Sequence, residues 1–255
     1  MDAETRQLRQ RLSDAGQVPD ILMLKQSTTS TNDDVRELTN PQVSSILVCS
    51  ETQTQGRGQH QRQWISPQGN IYLSALVNSD TPLDGRLALE VALNILQMPK
   101  LQGLNLQVKW PNDLYSQQGK WGGILVEPLS QHQAIVGVGL NLFTPESHDP
   151  LQPITSLQDL GLSDLDRLEM IAQLYLAIQQ AAQWFEHGCY NLAERFNHHA
   201  AFMQQLVDFE HHQGLLTGRF EGINQEGAVL ISSNGQQQAF YQGRMRRIVA
   251  QDDPT

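Results

Sequence analysis

Apolar residues recur along the chain with two different periods, and the changes of period mark out its elements. Residues 4–15 place Leu8 and Leu12 on one face at helical spacing, which predicts a short amphipathic helix. ILMLKQ at 21–26 reads as a short strand. The small polar run 27–32 (STTSTN) offers Ser30 or Thr31 as the cap of a helix over about 31–39, ended by Asn40-Pro41. SSILVCS (44–50) and NIYLSALV (70–77) read as strands. Between 84 and 97, Leu87, Leu89, Val91, Ala92, Leu93, Ile95 and Leu96 crowd the helical pattern on every side, so that helix is expected to be largely buried. LNLQVKW (104–110) is a strand stopped by Pro111. GGILVEPL (122–129) and QAIVGVGLNL (133–142) are two strands separated by SQHQ, a hairpin candidate and a possible dimer edge.

The character then changes. Residues 143–163 are loop-rich, with Pro145, Pro150, Pro153 and Gly161. The longest helical pattern runs over 165–185 and ends at His187-Gly188. A further helix is expected within 190–203, with Leu192 and Phe196 inward. Beyond about 205 come short strands with glycine turns: QLVDFE, LLTGRFEGI, GAVLIS and QAFYQGRMRRIV. Strands this short suggest a small β barrel or sandwich that needs a larger domain beside it. The division expected is an α/β (α+β) domain over 1–204 and a small β module over 205–255.

Composition narrows the function classes. The net charge is -10, from 27 acidic and 17 basic residues, which argues against broad nucleic-acid binding. There are 2 cysteines: Cys49 in an apolar strand and Cys189 near a helix junction, with no disulfide or zinc spacing. His198-His199 and His211-His212 are adjacent pairs and form no metal pattern. The charged start lacks the apolar core of a secretory signal, and no stretch is long and apolar enough to span a membrane. The cytoplasm is the expected location.

Four segments carry candidate chemistry. In ETQTQGRGQHQRQW (51–64), Gly56 and Gly58 flank Arg57 and free the backbone to approach a ligand, while Arg57 and Arg62 suit an anion. The alternative is a solvated surface loop. VKWPND (108–113) fixes Lys109, Asn112 and Asp113 together at a strand end, where α/β folds place ligands; it can also be a plain turn over a packed Trp110. In GKWGGILVE (119–127), Lys120 stands beside glycines that leave room for it to reach into a pocket, although a lysine at a hairpin turn can equally face water. Ser30-Thr31-Asn32 can cap a helix or hold a carbonyl-like or ureido group. No nucleophile is evident, so an enzyme built on these residues works by positioning and electrostatics.

Taken together, these segments resemble the biotin–protein ligase family, of the monofunctional type without an N-terminal DNA-binding domain. The resemblance rests on Ser30-Thr31-Asn32, Gly56 to Trp64, Lys109 to Asp113 and Lys120 to Glu127 in the family's order, with GVGLN (137–141) as a following strand, and covers about 20–249. It implies a class II synthetase-like catalytic domain, a central mixed sheet flanked by helices, with a small SH3-like C-terminal barrel. It implies formation of biotinyl-5'-AMP from biotin and ATP, with magnesium assisting, then transfer to a lysine of a biotin carboxyl carrier protein. The implied catalytic residues are Lys120, at the biotin carboxylate and α-phosphate, and Arg57, which holds phosphate and orders the loop. Ser30, Thr31, Asn32 and Gln53 would hold the biotin ring. Gly56, Gly58, Gln59, Trp64, Lys109, Asn112, Asp113, Gly122 and Gly123 complete the implied binding set. No dedicated protein metal site, DNA or membrane is implied, and the molecule would be a monomer or homodimer.

Two positions depart from the family's loop. Gln59 stands where arginine is common, and Gln61 where glycine is usual, which restricts positive φ and predicts altered loop ordering or weaker adenylate retention. The rival readings are a lipoate–protein ligase and a biotin-binding protein without turnover.

Overall fold

The computed structural model describes residues 2–146 and 153–248; Pro150 and Val249 lie outside them. Helix α1 (Ala3–Asp14) starts at Asp2, whose carboxylate accepts from the Thr5 amide at 2.8 Å, and it buries Leu8 and Leu12 as predicted. Strand β1 (Ile21–Thr28), helix α2 (Thr31–Leu38) and strand β2 (Ile46–Gln53) form a crossover unit in which the two strands are parallel. Then come β3 (Ile71–Asn78), α3 (Arg86–Leu96), β4 (Leu106–Lys109), β5 (Asp113–Ser116), β6 (Gly119–Pro128) and β7 (Gln133–Leu140). All seven strands form one mixed sheet, order β1-β2-β3-β7-β6-β5-β4, antiparallel beyond the first pair.

The expected hairpin of β6 and β7 is present, but it is no dimer edge. β7 lies between β3 and β6, and β6 lies between β7 and β5, so both are saturated with ladder bonds; the sheet's edges are β1 and β4. Strand β5 escaped the sequence reading because all four of its residues are buried, which removes the alternation that marks a one-sided strand. Ser30 takes the N-cap position of α2 without making a side-chain cap. The Thr31 amide is met instead by Gln53 Oε1 at 2.9 Å, reaching across from β2.

Helix α4 (Arg167–Glu186) packs on α3, α1 and β3 and closes the core on one face of the sheet. Cys49 is buried in β2 as expected, and burial pushes its thiol up to about 11. Helix α5 (Leu192–His199) buries Leu192 and Phe196 and leads to β8 (Leu206–His211), β9 (Gly214–Ile223), β10 (Val229–Ser233), β11 (Gln236–Phe240) and β12 (Arg244–Arg247). QAFYQGRMRRIV, read as one strand, is two, broken around Gly243 at φ +155.

These five strands form a second sheet, order β11-β10-β9-β8-β12. Although β9 and β10 separate β8 from β11, the Phe240 ring lies 4.9 Å from Phe209 and 4.7 Å from His211. The sheet therefore curls back on itself, as a small barrel does. It shares one apolar core with the larger body. Trp110 joins them, donating to the Gly227 carbonyl at 3.0 Å with its ring centroid 5.9 Å from that of Phe209.

One buried ion pair fastens α5 to α3. Glu90 is fully buried, and Arg195 forks onto it at 2.9 and 2.5 Å while stacking 4.6 Å above Trp184. Arg195→Ala strands that carboxylate and is expected to cost about 3–5 kcal/mol, read as a lower urea midpoint. An unchanged midpoint would show that the pair is not what fixes α5.

Candidate active site

A cavity of about 230 Å³ opens over β6 and β7. Its walls are the start of α2, the 53–65 loop, the 109–113 turn and residues 243–245 of the terminal module. The start of α2 and the loop can both approach the sheet because the facing positions are glycines. A Cβ on Gly137 would collide with Asn32 Oδ1, and one on Gly139 would lie 2.6 Å from Trp64 Cε2. A Cβ on Gly56 would lie 2.5 Å from the Trp64 carbonyl and 2.7 Å from Ser66 Oγ.

One end of the cavity is neutral and polar. Ser74, fully buried on β3, places its hydroxyl 2.7 Å from Thr31 Oγ1 and 2.5 Å from Asn32 Oδ1. Gln53 accepts from Thr31 and donates to Ser66 Oγ at 3.1 Å. Ser30, Thr31 and Asn32 are thus buried at a helix start, with Thr31 and Asn32 fixed by hydrogen bonds, which suits an uncharged ligand with several hydrogen-bonding atoms.

The other end is cationic. Lys120 Nζ lies 2.5 Å from Asp113 Oδ1, and Lys109 Nζ lies 3.5 Å from Asp113 Oδ2. Asp113 is the one carboxylate among the described lining residues, so two ammonium groups share it. Burial pushes the Lys109 pKa down, opposed by Asp113 and reinforced by Lys120 and Arg244. Lys120 also lies 5.0 Å above the Trp64 ring, and a Cβ on Gly123 would stand 3.3 Å from its Nζ. The glycine leaves the lysine its channel. Asn112 is a strut: its side chain donates to the Ile124 carbonyl at 2.6 Å and its backbone carbonyl accepts the Ile124 amide at 3.0 Å, just ahead of the first β5–β6 pair, Asp113 with Gly123.

The loop is bound and strained. Arg57 forks onto Asp33 of α2, with both bonds at 2.7 Å, and lies 3.5 Å from Glu127 of β6. Gln61 takes φ +60 and His60 φ +56, although neither is glycine. The restriction expected of Gln61 is therefore borne as strain, about 1–2 kcal/mol for a left-handed residue that is not glycine. Trp64 Nε1 is buried with no hydrogen-bond partner among the described residues, which leaves a donor in the loop wall.

Thirteen of the fifteen residues singled out in the sequence line the cavity: Ser30, Thr31, Asn32, Gln53, Arg57, Gly58, Gln59, Trp64, Lys109, Asn112, Asp113, Lys120 and Gly123. Gly56 and Gly122 stand behind the wall, where a Cβ on Gly122 would meet Leu140 Cδ2 at 2.7 Å. Sequence reasoning missed Asp33, Ser74 and Arg244, and it gave no site role to Glu127, Gly137, Gly139 and Asn141, which it held only as parts of the Lys120–Glu127 and GVGLN segments. Gly137 and Gly139 carried a usable signal, two glycines at strand period on one face. Arg244, in a generic basic run, carried none.

Hydrogen bonding from Arg57 holds the Asp33 carboxyl below the ordinary aspartate range. A depressed carboxyl contributes stability that is full above the unfolded value and fades as pH falls through the folded one. Carbon-detected NMR titration should find the Asp33 pKa depressed in the wild type and raised in Arg57→Ala. Equal values in the two proteins would contradict the pairing.

A family model described as the biotin/lipoate A/B protein ligase family matches residues 23–141. The biotin--[acetyl-CoA-carboxylase] ligase of Mycobacterium tuberculosis is 34% identical over 193 residues, covering 71% of this chain and 71% of that protein. The bifunctional ligase/repressor BirA of Escherichia coli is 30% identical over 217 residues, covering 81% of this chain and 67% of its own. Among solved structures, the biotin protein ligase from Aquifex aeolicus in complex with biotin and ATP superposes with TM-score 0.76 at 25% identity, covering 90% of this chain and 100% of that one.

Proposed function

Because the chain belongs to the biotin/lipoate A/B protein ligase family, we propose from its cavity that it is a biotin–protein ligase, joining biotin to AMP and then to a lysine of a carboxyl carrier protein. The observation that carries the reading is the pair of lysines on one buried carboxylate at the end of a cavity whose opposite end is neutral and polar. The ureido ring of biotin has N–H donors and a carbonyl acceptor for Thr31, Asn32 and Gln53. The dithiolane ring of lipoate has neither, so it would add no hydrogen bond at this end of the cavity.

In the first step a biotin carboxylate oxygen attacks the α-phosphorus, the bond to the β-phosphate oxygen breaks, and pyrophosphate leaves. Lys120 would contact the carboxylate and α-phosphate, offsetting repulsion between two anions and the charge that develops in transfer. Lys109, Asn112 and Asp113 would line the nucleotide side. Trp64 would brace the loop and adjoin the adenine, and Arg57 would order the loop over the adenylate with Gly58 and Gln59. In the second step a carrier lysine amine attacks the acyl carbon and AMP leaves. The closed loop would keep water from the mixed anhydride meanwhile.

Magnesium would arrive on the nucleotide. No group of three ligating side chains exists among the described residues, and Asp113 is already shared by two lysines. That donor set fits an ion held mainly by phosphate oxygens and water, with Asp113 as its protein contact, and the ion would supply charge neutralisation at the phosphates. Residues 1–204 would be the catalytic domain and 205–255 the module that completes its wall. Among the described residues no helix is long and apolar enough to cross a membrane.

Incubation with ATP, labelled biotin and a carboxyl carrier domain should place label on the carrier lysine. Pyrophosphate release with lipoate and not with biotin would overturn the assignment. Lys120→Ala should keep its circular dichroism spectrum and lose about 10²–10³-fold in adenylate formation, the scale for deleting one positioned charge-stabilising donor. Normal turnover would remove Lys120 from the chemistry.

A further inference from the structure

Arg57 enters the cavity wall already engaged. Its two terminal nitrogens each donate at 2.7 Å to the Asp33 carboxylate, the parallel fork that is the strongest arrangement open to arginine. Glu127 lies on its other side at 3.5 Å. Glu127 is also bound from α2, accepting from Asn32 Nδ2 at 3.0 Å and from Arg36 Nη2 at 3.1 Å. Two carboxylates thus tie three pieces of chain together: the glycine loop through Arg57, α2 through Asp33, Asn32 and Arg36, and β6 through Glu127. A phosphate reaching Arg57 would have to displace Asp33 and bring its own negative charge toward Glu127. Arg62, exposed on the same loop and lining the cavity, is the loop cation better placed to meet a phosphate.

We propose that Arg57 is a strap and not a phosphate ligand, and that Asp33 and Glu127 are positioning residues that hold the glycine loop and Asn32 against β6. The proposal rests on the ligase reading and specifies how that site is kept in register. Asn32 accepts from Ser74 through its oxygen and donates to Glu127 through its nitrogen, so the lattice fixes which way the Asn32 amide faces. The same strap opposes opening at the strained residues His60 and Gln61. A strap that slackens would let the loop lift, and a reactive anhydride would then escape or meet water.

The two roles predict opposite signs. With a strap, Asp33→Ala and Arg57→Ala both release the loop, so each should speed escape of biotinyl adenylate about tenfold, and the double variant should do no more than either alone. With a phosphate ligand, Arg57→Ala should raise the KM for ATP, whereas Asp33→Ala, by freeing the guanidinium, should lower it. The second pattern overturns the proposal, as does an unchanged escape rate in both variants. Glu127→Gln and Asp33→Asn serve as milder variants should the alanines misfold, and the same signs apply to them. Hydrogen exchange on the ligand-free protein gives a readout independent of activity: amides of 56–64 should exchange faster in Asp33→Asn and in Arg57→Ala, and unchanged exchange overturns the strap. Wild type that forms no biotinyl adenylate would sink the ligase reading alone, since the exchange experiment still decides the strap.

Discussion

Two ammonium groups share one carboxylate in a pocket largely withdrawn from water, and the surrounding structure serves to hold that arrangement. Asp113 cannot neutralise both Lys109 and Lys120, so the pocket keeps an excess of positive charge that an incoming anion would satisfy. Burial raises the cost of that excess, visible in the depressed pKa of Lys109, and also strengthens its pull on an anion. The fold holds the three residues by rigid means. Lys109 ends β4 and Asp113 opens β5 across a tight turn, Lys120 starts β6, and these three strands are consecutive at one edge of the sheet. Trp110, between them in sequence, is pinned to the terminal module.

The opposite requirement applies at the loop. A wall that must open to admit ligands and close over them cannot be a strand, yet it must return to one place. Glycines at 123 and 139 let Trp64 of the loop lie against the sheet, and charged groups at Asp33 and Glu127 hold it there. Left-handed His60 and Gln61 store strain beside these tethers. Close approach and charge thus fix the loop's position beside a strained turn. In this chain part of that strain falls on Gln61, where the resemblance led us to expect glycine.

Much of this was legible in the sequence because its signals are local. The burial of α3 followed from apolar residues on all sides, the β6–β7 hairpin from two apolar runs and a polar break, and the reach of Lys120 from the glycines next to it. What was not legible depends on pairing between distant segments. Asp33 looked like an ordinary acidic residue in a first helical turn, and nothing in its neighbourhood announces Arg57, which lies 24 residues away. Ser74 sits in an apolar strand and orients Thr31 and Asn32 across the sheet. Strand β5 was hidden because burial on both faces erased its alternation, and the same saturation made β6 and β7 internal strands where an edge had seemed possible. Arg244 reaches the cavity only because a second sheet curls and docks at Trp110.

The central claim is that one cavity binds an acyl group at its neutral end and a phosphate at its lysine end, as a single joined ligand. Isothermal titration with a non-hydrolysable biotinyl-adenylate analogue tests this most directly. Binding at least about 100-fold tighter than biotin alone is expected, because the two ends are engaged by one molecule without a second loss of translational freedom. Lys120→Gln should abolish most of that gain while leaving biotin affinity in place. An analogue that binds no tighter than biotin, or a gain that survives the loss of Lys120, would contradict the claim.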